Sequence, residues 1–355
     1  MLVDVLVFGG IYDCTKRELK IEYLRKSLHL ALAQFSELTG IPFPVIPRLD
    51  LHDDVDFWAL AEREEGGLKI HVGGGVLPAI TTLWNDALSE SNFILGVHSP
   101  LLVEKTDAVQ MSLGWLMLHE MQHFVLGHFD IVGRTFLSET ARGKRLALTS
   151  RGVSKTSIFD DLDATIKPMV EPCLELQADH DAIDLVLDAY STDEWPSLRA
   201  RIAAIAAMIM LIEREDAKLV EAHSSHPKAA TRIFQLLGHV TEMPLILAQR
   251  KAVLNGAANV DPNDIPSNEE QSAFNREVVI PSFFDVVNLA RVAGADSICN
   301  DLGEASDFFC DVGTAKMGNV SAFKGLRTSG AKQWADLVVV NERIKELFAQ
   351  DGLVI

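Results

Sequence analysis

The sequence predicts an α+β protein, mostly helical, with a small sheet. Three observations lead to that reading. Long stretches with apolar residues at helical spacing dominate the chain. Short β-type runs closed by glycines are confined to its first hundred residues. Of the 355 residues, 48% are hydrophobic and 23% charged, enough apolar material for a sizeable core. The net charge of −18 makes nucleic acid or an anionic membrane a poor partner. Four cysteines, none in a C-x-x-C pair, make no disulfide framework, so a reducing, cytoplasmic setting is expected.

Each element follows from local pattern. Leu2 to Phe8 reads as a strand ended by Gly9-Gly10, and its flank lacks the basic residues of a signal peptide. Thr15 to Leu38 reads as an amphipathic helix stopped by Gly40 and Pro42. Three prolines make 42–53 a loop or sheet edge. Leu68 to Val72 suits a strand, and Gly73-Gly74-Gly75 suits a turn rather than a phosphate loop, because no G-K-[ST] follows. Val76 to Leu88 is a helix, and Phe93 to Val97 a strand. Asp107 with Gln110 suggests a capping box for a helix reaching Gly127. The polar stretch 130–168 reads as an excursion. Helices are expected from about Pro172 to Tyr190, from Pro196 to Asp216 and from Lys332 to Gln350. The apolar run Ile202 to Ile212 falls short of the roughly 20 residues that span a bilayer, so no membrane span is expected.

Within the helix ending near Gly127 lies His119-Glu120-Met121-Gln122-His123. Histidines four apart share a helix face, so both imidazoles can reach one metal ion, with the glutamate beside it as general base. Apolar residues from Met111 to Leu126 surround the motif, so this helix is expected to be buried. Buried polar groups are costly unless satisfied, and a metal would satisfy all three. The next histidine spacing fails for a metzincin, since Leu126 and Phe129 occupy the required positions. A glutamate from a downstream helix is the remaining solution. Glu175 fits it, with Glu171, Asp181 and Asp184 as rivals, and Asp179 sits one turn on to orient a metal-bound histidine. His128 is expected to turn away from the metal face, His180 to lie at the surface and Cys173 to pack in the core.

H-E-x-x-H-x-x-x-G-H followed by E-x-x-A-D resembles the HtpX-like and CaaX-prenyl-protease-like gluzincins. Ser225-His226-Pro227 with Arg232 extends the match. The resemblance implies a zincin-like metallopeptidase core with an active-site helix. It also implies one Zn2+ per chain on His119, His123 and Glu175, and Glu120 as base. By the same resemblance His226 or Arg232 approaches the site, and these two with His223 are the candidate oxyanion donors. A weaker similarity, in motif and size class alone, is to phage-exclusion Lit-type peptidases. Those gluzincins are largely membrane-embedded, and their membrane substrates are not carried over.

The expected organisation is an N-terminal α/β region over 1–92, the gluzincin-like core over 93–254, a linker over 255–275 and a helical region over 276–355. The expected activity is hydrolysis of a protein or peptide substrate, with Phe93 to Val97 as a candidate strand for pairing it. A peptidase specific for one target in defence or stress, and a non-catalytic protein whose metal staples two helices, are the alternatives.

Overall fold

The computed structural model describes residues 12–90, 100–132, 136–138, 163–188, 190–218, 226–318 and 320–350. The expected strands at Leu2–Phe8 and Phe93–Val97, most of the polar stretch 130–168 and His223 lie outside them.

The chain opens with helix α1 (Tyr12–Thr39), which ends at Gly40 in the left-handed region (φ 73°). Three strands follow: β1 (Arg48–Leu51), β2 (Ala59–Glu64) and β3 (Gly67–Val72). In β3 the alternation sends Leu68, Ile70 and Val72 into the core and leaves Lys69 and His71 on the other face. A three-residue strand, β4 (Phe136–Ser138), completes a four-stranded sheet of order β1-β3-β2-β4. β1 runs parallel to β3 at one edge, and the other pairings are antiparallel. β4 lies in the stretch expected to be an excursion, and a short helix, α4 (His128–Val132), runs into its start. Polarity alone hid them, because sheet pairing decides a strand this short.

Gly73-Gly74-Gly75 forms the turn from β3 into α2 (Val76–Ser89). A Cβ on any of the three would collide with backbone oxygens of Asp54, Val55 or Asp56, so the glycines permit two loops to touch.

Helix α3 (Lys105–Val125) carries the two-histidine motif and runs through the middle of the molecule. It packs on α1, α2, β2, β3 and two later helices, α5 (Lys167–Leu187) and α6 (Trp195–Asp216). Every side chain from Trp115 to His123 is buried, which explains the apolar ring around the motif. The expected capping box is corrected: the helix starts at Lys105 and Asp107 lies in its first turn, where an acid suits the helix dipole. Gly127 does end it, at φ 68°. The expected start of α5 at Pro172 is also corrected. Pro168 takes the first-turn position, and Pro172 sits inside the helix at the loss of one backbone hydrogen bond.

The apolar run expected to be too short for a membrane lies within the 22-residue α6. The stretch Thr192–Asp216 is long and apolar enough to cross one, but 78% of its apolar window is buried inside the fold. Its alanines allow close approach to α3, where Ser112 Oγ donates to the Ala204 carbonyl at 3.2 Å.

Helices α7 (Ala229–Leu254), α8 (Asn268–Phe274), α9 (Ile280–Ala293), α10 (Ser297–Leu302), α11 (Ala305–Lys316) and α12 (Ser329–Gln350) complete the chain. The expected linker at 255–275 includes α8 and does not separate two cores. One contiguous apolar cluster runs from Leu24 to Ile344. A buried two-bond pair, Arg199 with Asp285 at 2.6 and 2.9 Å, ties α6 to α9.

Candidate metal centre

Two buried helices, α3 and α5, bring the expected ligands together. His119 Nε2 and His123 Nε2 lie 3.0 Å apart, and Glu175 Oε2 is 3.3 Å from the first and 3.7 Å from the second. Ligands at about 2.1 Å from a tetrahedral zinc ion are about 3.4 Å from each other. The three atoms bracket that separation. Glu175 sits on the α5 face that meets α3, which Asp181 and Asp184 do not share; Glu171 shares the face one turn earlier but is not part of the trio.

Hydrogen bonds around the trio fix which atoms carry protons. Asp179 Oδ1 lies 3.0 Å from His119 Nδ1, a placement that favours a proton on that nitrogen and the lone pair on Nε2. A second chain does the same for His123. Its Nδ1 meets His128 Nδ1 at 2.8 Å, and His128 Nε2 meets Gln177 Oε1 at 3.0 Å. The Gln177 amide in turn donates to Asn341 Oδ1 on α12. Gln177 Oε1 can only accept, so His128 carries its proton on Nε2 and accepts from His123 Nδ1. His123 Nε2 is therefore also a lone pair. Burial, then His123, holds the His128 pKa well below the ordinary histidine range, which suits a neutral acceptor.

Three electron-rich atoms thus face one another away from water. Glu175 Oε2 is buried with no hydrogen-bond donor among the described residues. Burial raises the Glu175 pKa, and positive charge at His123, His119 and His226 would hold the carboxyl well below its usual range, a charge that a bound cation would supply once the two imidazoles are neutral. Two neutral imidazoles and one carboxylate are a donor set that fits a zinc-class cation.

Glu120 is fully buried on α3, one residue and about 100° round from His119. Arg232 is 1% exposed and grips Asp179 with two bonds, Nε to Oδ2 and Nη2 to Oδ1, both 2.6 Å. Its guanidinium also lies over the Trp115 ring, 5.5 Å from the centroid. Arg232 was expected to approach the site as an oxyanion donor. These contacts give it the separate job of holding Asp179, which holds His119. His226 is 3% exposed, and its Nδ1 lies 3.1 Å from Asp216 Oδ2.

The sequence matches no protein-family model, and no curated protein or solved structure is similar to it. The resemblance to gluzincins rests on the sequence motif alone.

His128 is the residue that sequence reasoning misplaced. Helical geometry turns a fifth residue away, but Gly127 breaks the helix between His123 and His128. Its positive φ folds the next turn back so that the two imidazoles meet. A glycine directly before a histidine was the available signal. Gln177 and Asn341 carried none, since both are ordinary polar residues until the fold joins α5 to α12. His180 is more than half exposed, as expected, and Cys173 is buried, its thiol pushed up to about 12 by burial. A cavity of about 430 Å³ lies on the far side of α5, lined in part by Leu176, Gln177, Phe234, Trp334 and Asn341. None of the three ligands lines it.

Proposed function

We propose that this protein is a zinc-dependent peptidase of gluzincin type, with His119, His123 and Glu175 as ligands and Glu120 as general base. The observation that carries the reading is the trio of buried acceptor atoms 3.0–3.7 Å apart beside a glutamate on the same helix. Zinc bound there supplies a Lewis acid and brings a water molecule within reach of deprotonation by a carboxylate.

The chain's own residues do the rest. Glu120 accepts a proton from the attacking water and returns it to the leaving amine. Asp179 keeps His119 in the required tautomer, and Arg232 keeps Asp179 in place. His128 fixes His123 in the same way. His226, oriented by Asp216, is the candidate for stabilising negative charge on the substrate carbonyl oxygen. The substrate class is a protein or peptide.

One observation favours a second reading, a metal that only staples α3 to α5. His119, Glu120 and His123 are all 0% exposed, so a substrate reaches them only after a neighbouring element moves. Glu120→Gln separates the two. For a peptidase, the variant keeps its zinc and loses at least about a hundredfold in hydrolysis of an unstructured protein substrate. Equal cleavage by variant and parent sinks the mechanism. No zinc-dependent cleavage by the parent leaves the staple.

A further inference from the structure

We propose that Asp50, His52 and His71 form a second site for a divalent zinc-class ion, on the outer face of the sheet. Its residues come from the parallel edge. Asp50 on β1 pairs with His71 on β3, and His52 follows β1 by one residue. Residues two apart on a strand share a face, so the three side chains stand together.

The distances match those of the buried trio. His52 Nε2 lies 3.0 Å from His71 Nδ1, and Asp50 Oδ2 lies 3.9 Å from the first and 3.6 Å from the second. These separations surround the roughly 3.4 Å expected between tetrahedral zinc ligands. The tautomer is also set. His71 Nε2 donates to Glu62 Oε2 at 2.8 Å, so Nδ1 presents its lone pair to Asp50 and His52. A carboxylate on the far nitrogen of a metal histidine is the same support that Asp179 offers His119. The loop carrying His52 is fixed: Trp58 Nε1 donates to Asp54 at 2.9 Å, and the Trp58 ring packs on His52. With side chains 39% and 43% exposed, His52 and Asp50 leave room for water to complete the coordination.

Lys69 argues against a bound ion and so provides a test. Its ammonium lies 2.9 Å from Asp50 Oδ2. A metal would displace it, and the bound ion would tie β1 to β3 in its place.

The experiment is zinc analysis of the full chain after dialysis against micromolar Zn2+. The parent is expected to hold two ions, His52→Ala one, Glu175→Ala one, and the double variant none. The two sites fail separately. If only the buried centre is wrong, Glu175→Ala changes nothing while His52→Ala still lowers the count. His52→Ala with the parent's full zinc content overturns the proposal, and so does a parent whose only zinc is removed by Glu175→Ala. Lys69→Met gives a second measure that keeps His52 intact. It tightens zinc binding in the Glu175→Ala chain roughly tenfold, because a repelling charge and a competitor for Asp50 are gone. Unchanged affinity overturns the assignment of Asp50 as a ligand.

Discussion

The buried trio on α3 and α5 and the half-exposed trio on β1 and β3 have the same chemistry, two imidazoles and a carboxylate. They also have nearly the same spacing. Their surroundings differ. The inner carboxylate behind His119 is sealed in the core and held by a buried arginine, while the outer one behind His71 is a third exposed. Burial removes water as an alternative partner, so every inner polar group depends on its neighbours. Outside, water can replace any partner at small cost. The inner set therefore acts as one unit, and the outer set as a collection of separable contacts.

The largest expected effect tests this difference directly. Arg232→Ala leaves Asp179 buried with an uncompensated charge and is expected to cost about 3–5 kcal/mol in urea unfolding. Lys69→Ala, which breaks the half-exposed Lys69–Asp50 pair of the outer set, is expected to cost less than about 1 kcal/mol. Similar losses in the two variants would erase the comparison.

Next come the carboxylates behind the histidines. Asp179→Asn weakens zinc binding at the inner site about 10–100-fold, read by competition with a chromophoric chelator. Glu62→Gln at the outer site stays under about tenfold, because water can take the place of the lost acceptor. A larger loss at Glu62 than at Asp179 would reverse the ranking.

The smallest effect sets an acid baseline away from both clusters. Burial, then repulsion from His180, lowers His239 to about 4. The unfolded chain takes up that proton near pH 6.5, so below this pH it binds more protons than the folded chain. Stability present at pH 7 is therefore lost as pH falls from about 6.5 towards 4. His180 shifts upward beside Asp181 and offsets part of this. The chelator-treated chain is expected to lose about 1–2 kcal/mol between pH 7 and pH 5 through His239. His239→Phe should flatten that slope. An unchanged slope would place the acid sensitivity in the metal clusters themselves.

How much of this was legible depends on the distance along the chain over which each feature is decided. The ligands His119 and His123 could be read because helical periodicity fixes their relation within one turn. Asp179 could be read for the same reason once Glu175 was chosen. Arg232 could be picked out but not placed, since its contact with Asp179 depends on how α7 crosses α5. The outer trio was invisible. Asp50 and His71 are neighbours only through strand register, which no local pattern between them specifies.

The sequence by itself determined several of the long helices, the i, i+4 pair of histidines, the buried character of α3 and the glycine that ends it. Those properties follow from local geometry and from the free energy of burying apolar side chains. The tertiary structure brought Glu175, the acid chosen from the sequence, to the two histidines. It also decided that His128 and Gln177 fix the His123 tautomer, that Arg232 supports Asp179, and that two strands bring Asp50, His52 and His71 together. Each of those depends on contacts between residues distant in sequence, which form only when the shared core packs and excludes water.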